Sequence, residues 1–255
     1  MMAARLFRPF VIFAGLLFAW QAVVTSLGLP RFILPGPLEV GSTLFQQADR
    51  ILPHLWITLA EIGIGLLLGT LLGTASALVM AYFAPLRRWL MPVLVVSQAI
   101  PVFALAPILV LWFGYGIASK AAMATLIIYF PVTAAFFDGL RRTEPGWLDL
   151  AHTMNGSRWA VLRQVRIPAA LPAFASGLRV AAAVAPIGAV VGEWVGSSAG
   201  LGFLMLHANA RMQVDLMFAA LFTLAVAAVA LYFALDALLR RAISWQYESE
   251  PSGEV

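Results

Sequence analysis

The chain has 255 residues, is 62% hydrophobic and only 11% charged, and has a mean hydropathy of +0.91. Soluble domains carry about 25% charged residues, so this composition belongs to an integral membrane protein, as the long apolar runs show independently. The absence of cysteine excludes disulfides, thiolate metal sites and a cysteine nucleophile, and the formal charge of +4 is no nucleic-acid signal, because it comes from arginines gathered in loops on one side.

Arg5 and Arg8 precede an apolar run from Pro9 to Leu29. About 20 residues suffice to cross a bilayer, so this is the first expected span. A cleaved signal peptide is the competing reading; the run exceeds the usual ~7–15 residues and lacks a small-x-small cleavage site. Pro30, Pro35 and Pro37 make the next segment irregular, and a mildly amphipathic helix is expected over Leu38–Ala48. Residues 1–50 therefore form an N-terminal span with an extracytoplasmic segment, residues 51–245 the main transmembrane domain, and residues 246–255 a polar tail.

The second span is expected over Leu52–Phe83. Gly65, Gly69, Gly73 and Ala77 recur every four residues and make one small-residue stripe for close helix packing. Glu61 lies one turn earlier on the same face. An acid inside a span either bonds a neighbouring helix near the interface or lines a translocation path. Pro85-Leu-Arg-Arg88 is a basic turn. The third span, Leu90–Phe113, carries Ser97, Gln98, Pro101 and Pro107, and its two prolines must bend it and free backbone carbonyls. Gly114-Tyr-Gly116 and Lys120 form a turn, and the fourth span runs over Ala121–Leu140 with Pro131 inside.

The interval 141–168 is polar between two apolar flanks and holds five arginines against Glu144 and Asp149. Asp149 opens a short helical run, Leu150–Met154, and Asn155-Gly156 breaks it. Ser157 is placed to cap a second run, Arg158–Val165, because its hydroxyl can accept from a free backbone N–H. Pro168 suits the first turn of the next helix. This spacing, Asp149-Leu150-Ala151, three residues, Asn155, nine residues, Val165-Arg166-Ile167-Pro168, resembles the E-A-A-x3-G-x9-I-x-L-P cytoplasmic loop of binding-protein-dependent ABC importer permeases. It departs at Asp for Glu, Leu for Ala and Asn for Gly. The glycine position would serve a left-handed backbone conformation, which Asn tolerates next best. In that family the loop docks into the ATPase subunit, so the resemblance assigns coupling to Asp149, Leu150, Ala151, Met154, Asn155, Gly156, Ser157, Arg158 and Pro168. The plainer alternative is a basic loop resting on anionic lipid.

The fifth span, Ala169–Val191, is interrupted by Pro172 and Pro186 and contains Arg179, which either snorkels or caps a helix end, or faces the path. Gly192–Asp215 is too apolar for a plain loop. Glu193 followed by Gly200-Leu201-Gly202 also resembles this permease family, and the segment is read either as a folded or re-entrant element over the pore mouth or as an interfacial loop held by Trp194 and Phe203. The sixth span is Leu216–Leu239, and the chain from Arg240 is expected to fray. With a cytoplasmic N-terminus and six spans, eleven of the sixteen lysines and arginines fall on the inner side, four (Arg31, Arg50, Lys120, Arg211) on the outer side, and Arg179 within a span.

No GxxxxGK[ST] loop and no HExxH motif are present, and His54, His152 and His207 lack ligand spacing. A nucleophile–base pair from Ser197-Ser198 and His207 has no supporting motif. The sequence is identified as an all-α integral membrane protein of about six transmembrane helices with a type I ABC importer permease core. It is similar to the nitrate/sulfonate/taurine branch, and residues 203–221 resemble permeases for hydroxymethylpyrimidine precursors of thiamine. The resemblance implies a bacterial inner-membrane protein working with a second permease copy, two ABC ATPase subunits and an extracytoplasmic binding protein. No cofactor would be bound by this chain, ATP and magnesium being used by the ATPase, and nucleic acid has no role. Glu61, Gln98, Arg179 and Glu193 are the candidates for the path; Gly65, Gly69 and Gly73 are assigned to helix packing. The competing class is an ATPase-independent secondary transporter or channel, which predicts charge relays and inverted repeats.

Overall fold

A computed structural model describes residues 2–245, with side chains from residue 11. The polar tail at 246–255 and the side chains of Arg5 and Arg8 lie outside the described residues. The regular structure described is helical: α1 (Met2–Ser26), α2 (Pro37–Gln46), α3 (Ala48–Tyr82), α4 (Ala84–Ser97), α5 (Val102–Phe113), α6 (Ile117–Arg141), α7 (Pro145–Thr153), α8 (Arg158–Val161), α9 (Ile167–Gly196), α10 (Leu201–Ala210) and α11 (Val214–Ala242).

The chain is built around α6, which packs along α3 on one side and α9 on the other. Both contacts depend on missing side chains. A Cβ on Gly65 would stand 2.4 Å from the Ala124 Cβ, and one on Gly69 would stand 2.6 Å from Ile128 Cγ2. On the other face, a Cβ on Gly177 would meet the Ala135 Cβ at 2.5 Å, and one on Gly188 would meet the Ala124 Cα at 2.8 Å. In lipid, helices gain nothing from hiding apolar surface from water, so close backbone approach and dispersion hold them together. The glycine stripe thus joins α3 to α6 of the same chain. Ile62, Ala124, Ile128, Val132, Ala181 and Ala185 fill the seam between the three helices.

Among the described residues four helices are long and apolar enough to cross a membrane, five if the bent pair α4–α5 counts as one span. The described apolar part of α1, Val11–Ser26, is shorter than these, so four or five spans are found where six are expected. The third span is not one bent helix, however. It breaks over residues 98–101, and its two halves diverge by 102°. Pro101 pushes Ile100 out of the helical region and ends the first half, whereas Pro107 sits inside α5 without breaking it. Pro131, Pro172 and Pro186 also lie inside unbroken helices. The expected interruptions of the fifth span are absent because flanking helices hold its backbone in place.

Candidate functional site

Two polar assemblies sit at opposite ends of α9, whose 30 residues span about 45 Å. The first is the segment between α6 and α9. Helix α7 ends in a left-handed residue, Asn155, with φ 54. The Gly156 N–H reaches back to the Ala151 carbonyl (2.9 Å) and the Asn155 N–H to the His152 carbonyl (3.0 Å). This is a Schellman stop with Asn in the glycine position. Gly156 cannot carry a side chain there, because a Cβ would lie 2.8 Å from the Ala151 oxygen. Ser157 then caps α8, its Oγ accepting from the Ala160 N–H (3.2 Å).

Helix α8 runs on through a π turn, Leu162–Arg166, directly into α9. Pro168 has no N–H to offer the Gln164 carbonyl. The π turn, in which the Ile167 N–H bonds Leu162 one residue further back than usual, is where the helix absorbs that loss. The expected loop-then-helix is therefore one continuous lever from Arg158 to Gly196. Arg166 hooks it onto α6: Nε (3.0 Å) and Nη2 (2.8 Å) both donate to the Leu140 carbonyl. Nothing in the sequence pattern announced that hook.

None of the residues of α7 is buried. Trp147, Leu150 and Met154 are 52%, 61% and 75% exposed. At offsets of three and seven they share one face of the helix. Asp149 and Arg158 are exposed beside them. A short helix that shows tryptophan, leucine and methionine at a basic end has the surface of a docking peg.

The second assembly is a buried clamp at the other end. Glu193, near the end of α9, is 1% exposed. Its Oε1 accepts from the Thr58 hydroxyl (2.6 Å), and its Oε2 accepts from the Phe203 N–H (3.3 Å) and, closer still, from the Gly202 N–H. Thr58 Oγ1 in turn accepts from the Leu201 N–H (2.8 Å), and His54 Nδ1 from the Gly200 N–H (2.9 Å). The free N–H groups that open α10 are thus all met by side chains of α3 and α9, and the carboxylate sits at the favourable end of the helix dipole. This explains the glycines at 200 and 202. A Cβ on Gly200 would fall 2.2 Å from the Glu193 carboxyl carbon, and Gly200 holds φ 108. One on Gly202 would fall 2.8 Å from Oε2. The segment 192–215 is consequently a folded element, the end of α9 plus α10, pinned inward.

Glu61 and Lys120 complete the cluster. Glu61 is buried beside Glu193, with Lys120 the neighbouring positive charge, and its Oε2 has no hydrogen-bond partner among the described residues. Lys120, expected in an outer turn, is instead buried in the first turn of α6. Its ammonium folds back onto the carbonyls of Tyr115 and Gly116 (the latter at 2.9 Å). Thr58 and His54 were not singled out from the sequence, although both lie within two turns of Glu61 on α3.

The four path candidates do not converge. Glu61 and Glu193 share the buried clamp. Gln98 is exposed at the α4–α5 elbow. Arg179 pairs with Asp236 of α11 (2.6 Å), which Arg240 also holds (2.8 Å). That is a clasp between helices rather than a snorkelling or capping role. Ser197 bonds the Ala199 carbonyl (2.6 Å) and His207 lies on the Phe203 carbonyl (3.1 Å), so neither joins a nucleophile–base pair. No group of three or more potential metal ligands occurs among the described residues.

Residues 65–244 match the family described as "Binding-protein-dependent transport system inner membrane component". A probable ABC transporter permease protein of Haemophilus influenzae is 59% identical over 95% of this chain and 99% of its own length. The formylaminopyrimidine transport permease protein ThiX of Halalkalibacterium halodurans is 36% identical, over 94% and 96%. Permeases named for aliphatic sulfonates and taurine stand at 29%. The inward-facing MetNI methionine ABC transporter contains a chain of the same fold, with a TM-score of 0.67 at 19% identity, covering 78% of this chain and 98% of that one. With its multi-pass helices, its projecting α7 and these relatives, the chain belongs to the binding-protein-dependent inner-membrane permeases of ABC importers, in the sulfonate, taurine and pyrimidine branch.

Proposed function

We propose that α7 and its Schellman turn are the coupling element through which separate ATPase subunits drive transport. The observation that carries this is the exposed face of Trp147, Leu150 and Met154 on a helix with no buried residue, joined through the Asn155–Gly156 turn to the α8–α9 lever that Arg166 hooks onto α6. A push on α7 moves the α8–α9 lever and, through the glycine-sealed contacts, α6 and α3 with it. The nucleotide then acts by favouring one packing of these helices over the other. The α7 end is cytoplasmic, as the arginine asymmetry indicates, and so is the N-terminus. Two copies of this chain form the pore, with Gln98 on the exposed elbow facing the path. Two ATPases hold ATP and magnesium, and an extracytoplasmic binding protein delivers the solute. This chain makes and breaks no bonds.

The solute is a small polar molecule of the thiamine-pyrimidine class, with a sulfonate, taurine or nitrate-like anion as the alternative. The 36% relative named for formylaminopyrimidine favours the pyrimidine. Purified complex in proteoliposomes, with binding protein outside and ATP inside the ATPase compartment, should accumulate labelled aminopyrimidine. Uptake that persists without ATPase subunits would sink the coupling proposal.

A further inference from the structure

A cavity of about 370 Å³ lies at the α7 end, between the end of α3, α7 itself and the opening of the α8–α9 lever. Tyr82, Leu148, His152, Arg158 and Arg166 line it, and none of its lining residues is an acid. Arg87 of α4 stands close enough to Arg166 for the two charges to repel. The Leu140 carbonyl takes Nε and Nη2 of Arg166, and its Nη1 makes no hydrogen bond among the described residues. Arg158 likewise has no hydrogen-bond or ion-pair partner among the described residues. The acids of this end leave that charge standing: Asp138 pairs with Arg141 (3.7 Å), and Glu144 and Asp149 are exposed.

Aromatic rings stand beside these arginines. Trp159 meets Tyr82 edge-on, centroids 6.2 Å apart, and Tyr82 meets Phe83 in the same way at 4.9 Å. All three are exposed, Trp159 by 58%. They sit where the long apolar helix α3 ends and where the lever begins, at the level of the lipid headgroups, which tyrosine and tryptophan favour. The two faces of α7 are distinct. Leu148 and His152, four residues apart, share the face toward this cavity. Trp147, Leu150 and Met154 line a separate hollow with Trp245, so an occupant of the basic cavity leaves the docking face open.

We infer that this cavity binds the headgroup of an anionic phospholipid of the cytoplasmic leaflet, with its phosphate on Arg158, Arg166 and His152 and its acyl chains against Tyr82, Phe83 and Trp159. Guanidinium and phosphate form charge-assisted, bidentate hydrogen bonds, and anionic headgroups gather at basic segments beside a span. A free phosphate meets the arginines and leaves the three rings in water; a phospholipid meets both. One such lipid touches α3, α7, α8 and the π turn together, so it ties the coupling helix to the helices it moves. The inference rests on the reading of the α7 end as the cytoplasmic, coupling end.

The test uses the assembled permease–ATPase complex in nanodiscs of phosphatidylcholine with a graded share of phosphatidylglycerol. Native mass spectrometry should find phosphatidylglycerol retained over phosphatidylcholine. Arg158→Glu, at an exposed position, should weaken that retention about tenfold or more, as for the loss of a hydrogen bond to a charged group. Arg142→Glu, exposed at the same end but outside the cavity, should leave it unchanged. Phosphatidylglycerol brominated in its acyl chains should quench the wild-type fluorescence more than that of Trp159→Phe, and inorganic phosphate should not relieve the quenching. Equal retention of the two lipids, an equal fall in Arg142→Glu, or displacement by inorganic phosphate overturns the site. So does a photo-cross-linker on His152→Cys that labels an ATPase subunit and no lipid. Uptake that runs without ATPase subunits removes the coupling reading and leaves the lipid result standing, so the two failures are told apart.

Discussion

Removing the carboxylate from Glu193 should unpin α10 without unfolding the helix bundle. In Glu193→Ala the N–H groups of Gly202, buried, and of Phe203, part-buried, lose their acceptor. The Thr58 hydroxyl has a fallback in the His54 carbonyl at 3.2 Å, so it contributes little to the loss. A buried donor left unmet costs about 1–3 kcal/mol, so two cost about 2–6 kcal/mol. Each ~1.4 kcal/mol is tenfold in an equilibrium, so local opening of α10 should become roughly 30- to 10⁴-fold more frequent. Hydrogen exchange by mass spectrometry, on peptides covering residues 201–206, reads that opening directly. Peptides from α6 should exchange as in the wild type. Glu193→Gln keeps one acceptor oxygen but turns an N–H₂ toward a neighbour, so its effect should fall below that of alanine. Wild-type exchange of residues 201–206 in Glu193→Ala would refute the clamp, because the Glu193 carboxylate is the acceptor that holds those two N–H groups.

Three further outcomes are expected. Asn155→Val forces a β-branched residue into the left-handed turn that ends α7, at about 1–2 kcal/mol or more; uptake should fall with the protein still in the membrane, while Asn155→Gly keeps transport, and full ATP-coupled uptake by Asn155→Val would remove the coupling role of this turn. Gly69→Leu drives a side chain into Ile128, where even a Cβ stands at 2.6 Å; overpacking of this kind costs at least about 1–3 kcal/mol, and a lowered melting temperature of the purified chain, before any partner is added, distinguishes this contact within one chain from one between copies. A double-mutant cycle with Arg179→Met and Asp236→Asn should give a coupling of about 1.5–3 kcal/mol, as for hydrogen bonds to charged groups, toward the lower value because Arg240 remains on Asp236; additive effects would show that the α9–α11 clasp contributes nothing.

The sequence by itself determined what is local. Apolar run lengths placed the spans, because a membrane demands about twenty residues of them. The four-residue recurrence of Gly65, Gly69 and Gly73 marked a packing face, and the order Asn155-Gly156-Ser157 announced a helix stop followed by a cap, since turn and capping chemistry is satisfied within a few residues. What those faces meet was decided only by the tertiary structure. The stripe of α3 could have matched any helix, in this chain or another, and it matches α6. Glu61 and Glu193 read as separate acids in separate spans, yet they lie together, and Thr58 bonds Glu193 across 135 residues of sequence. Lys120 looked like a loop cation because lysine usually is one, and it is buried because its ammonium can reach two carbonyls of its own preceding turn. The prolines were ambiguous for the same reason. A missing N–H breaks a helix at Pro101, where the chain is free to turn, and is absorbed at Pro131, Pro172 and Pro186, where neighbouring helices leave no other course. Periodicity and capping act over a few residues and are legible in the chain; which buried donor finds which acceptor depends on helices that meet only after the chain has folded.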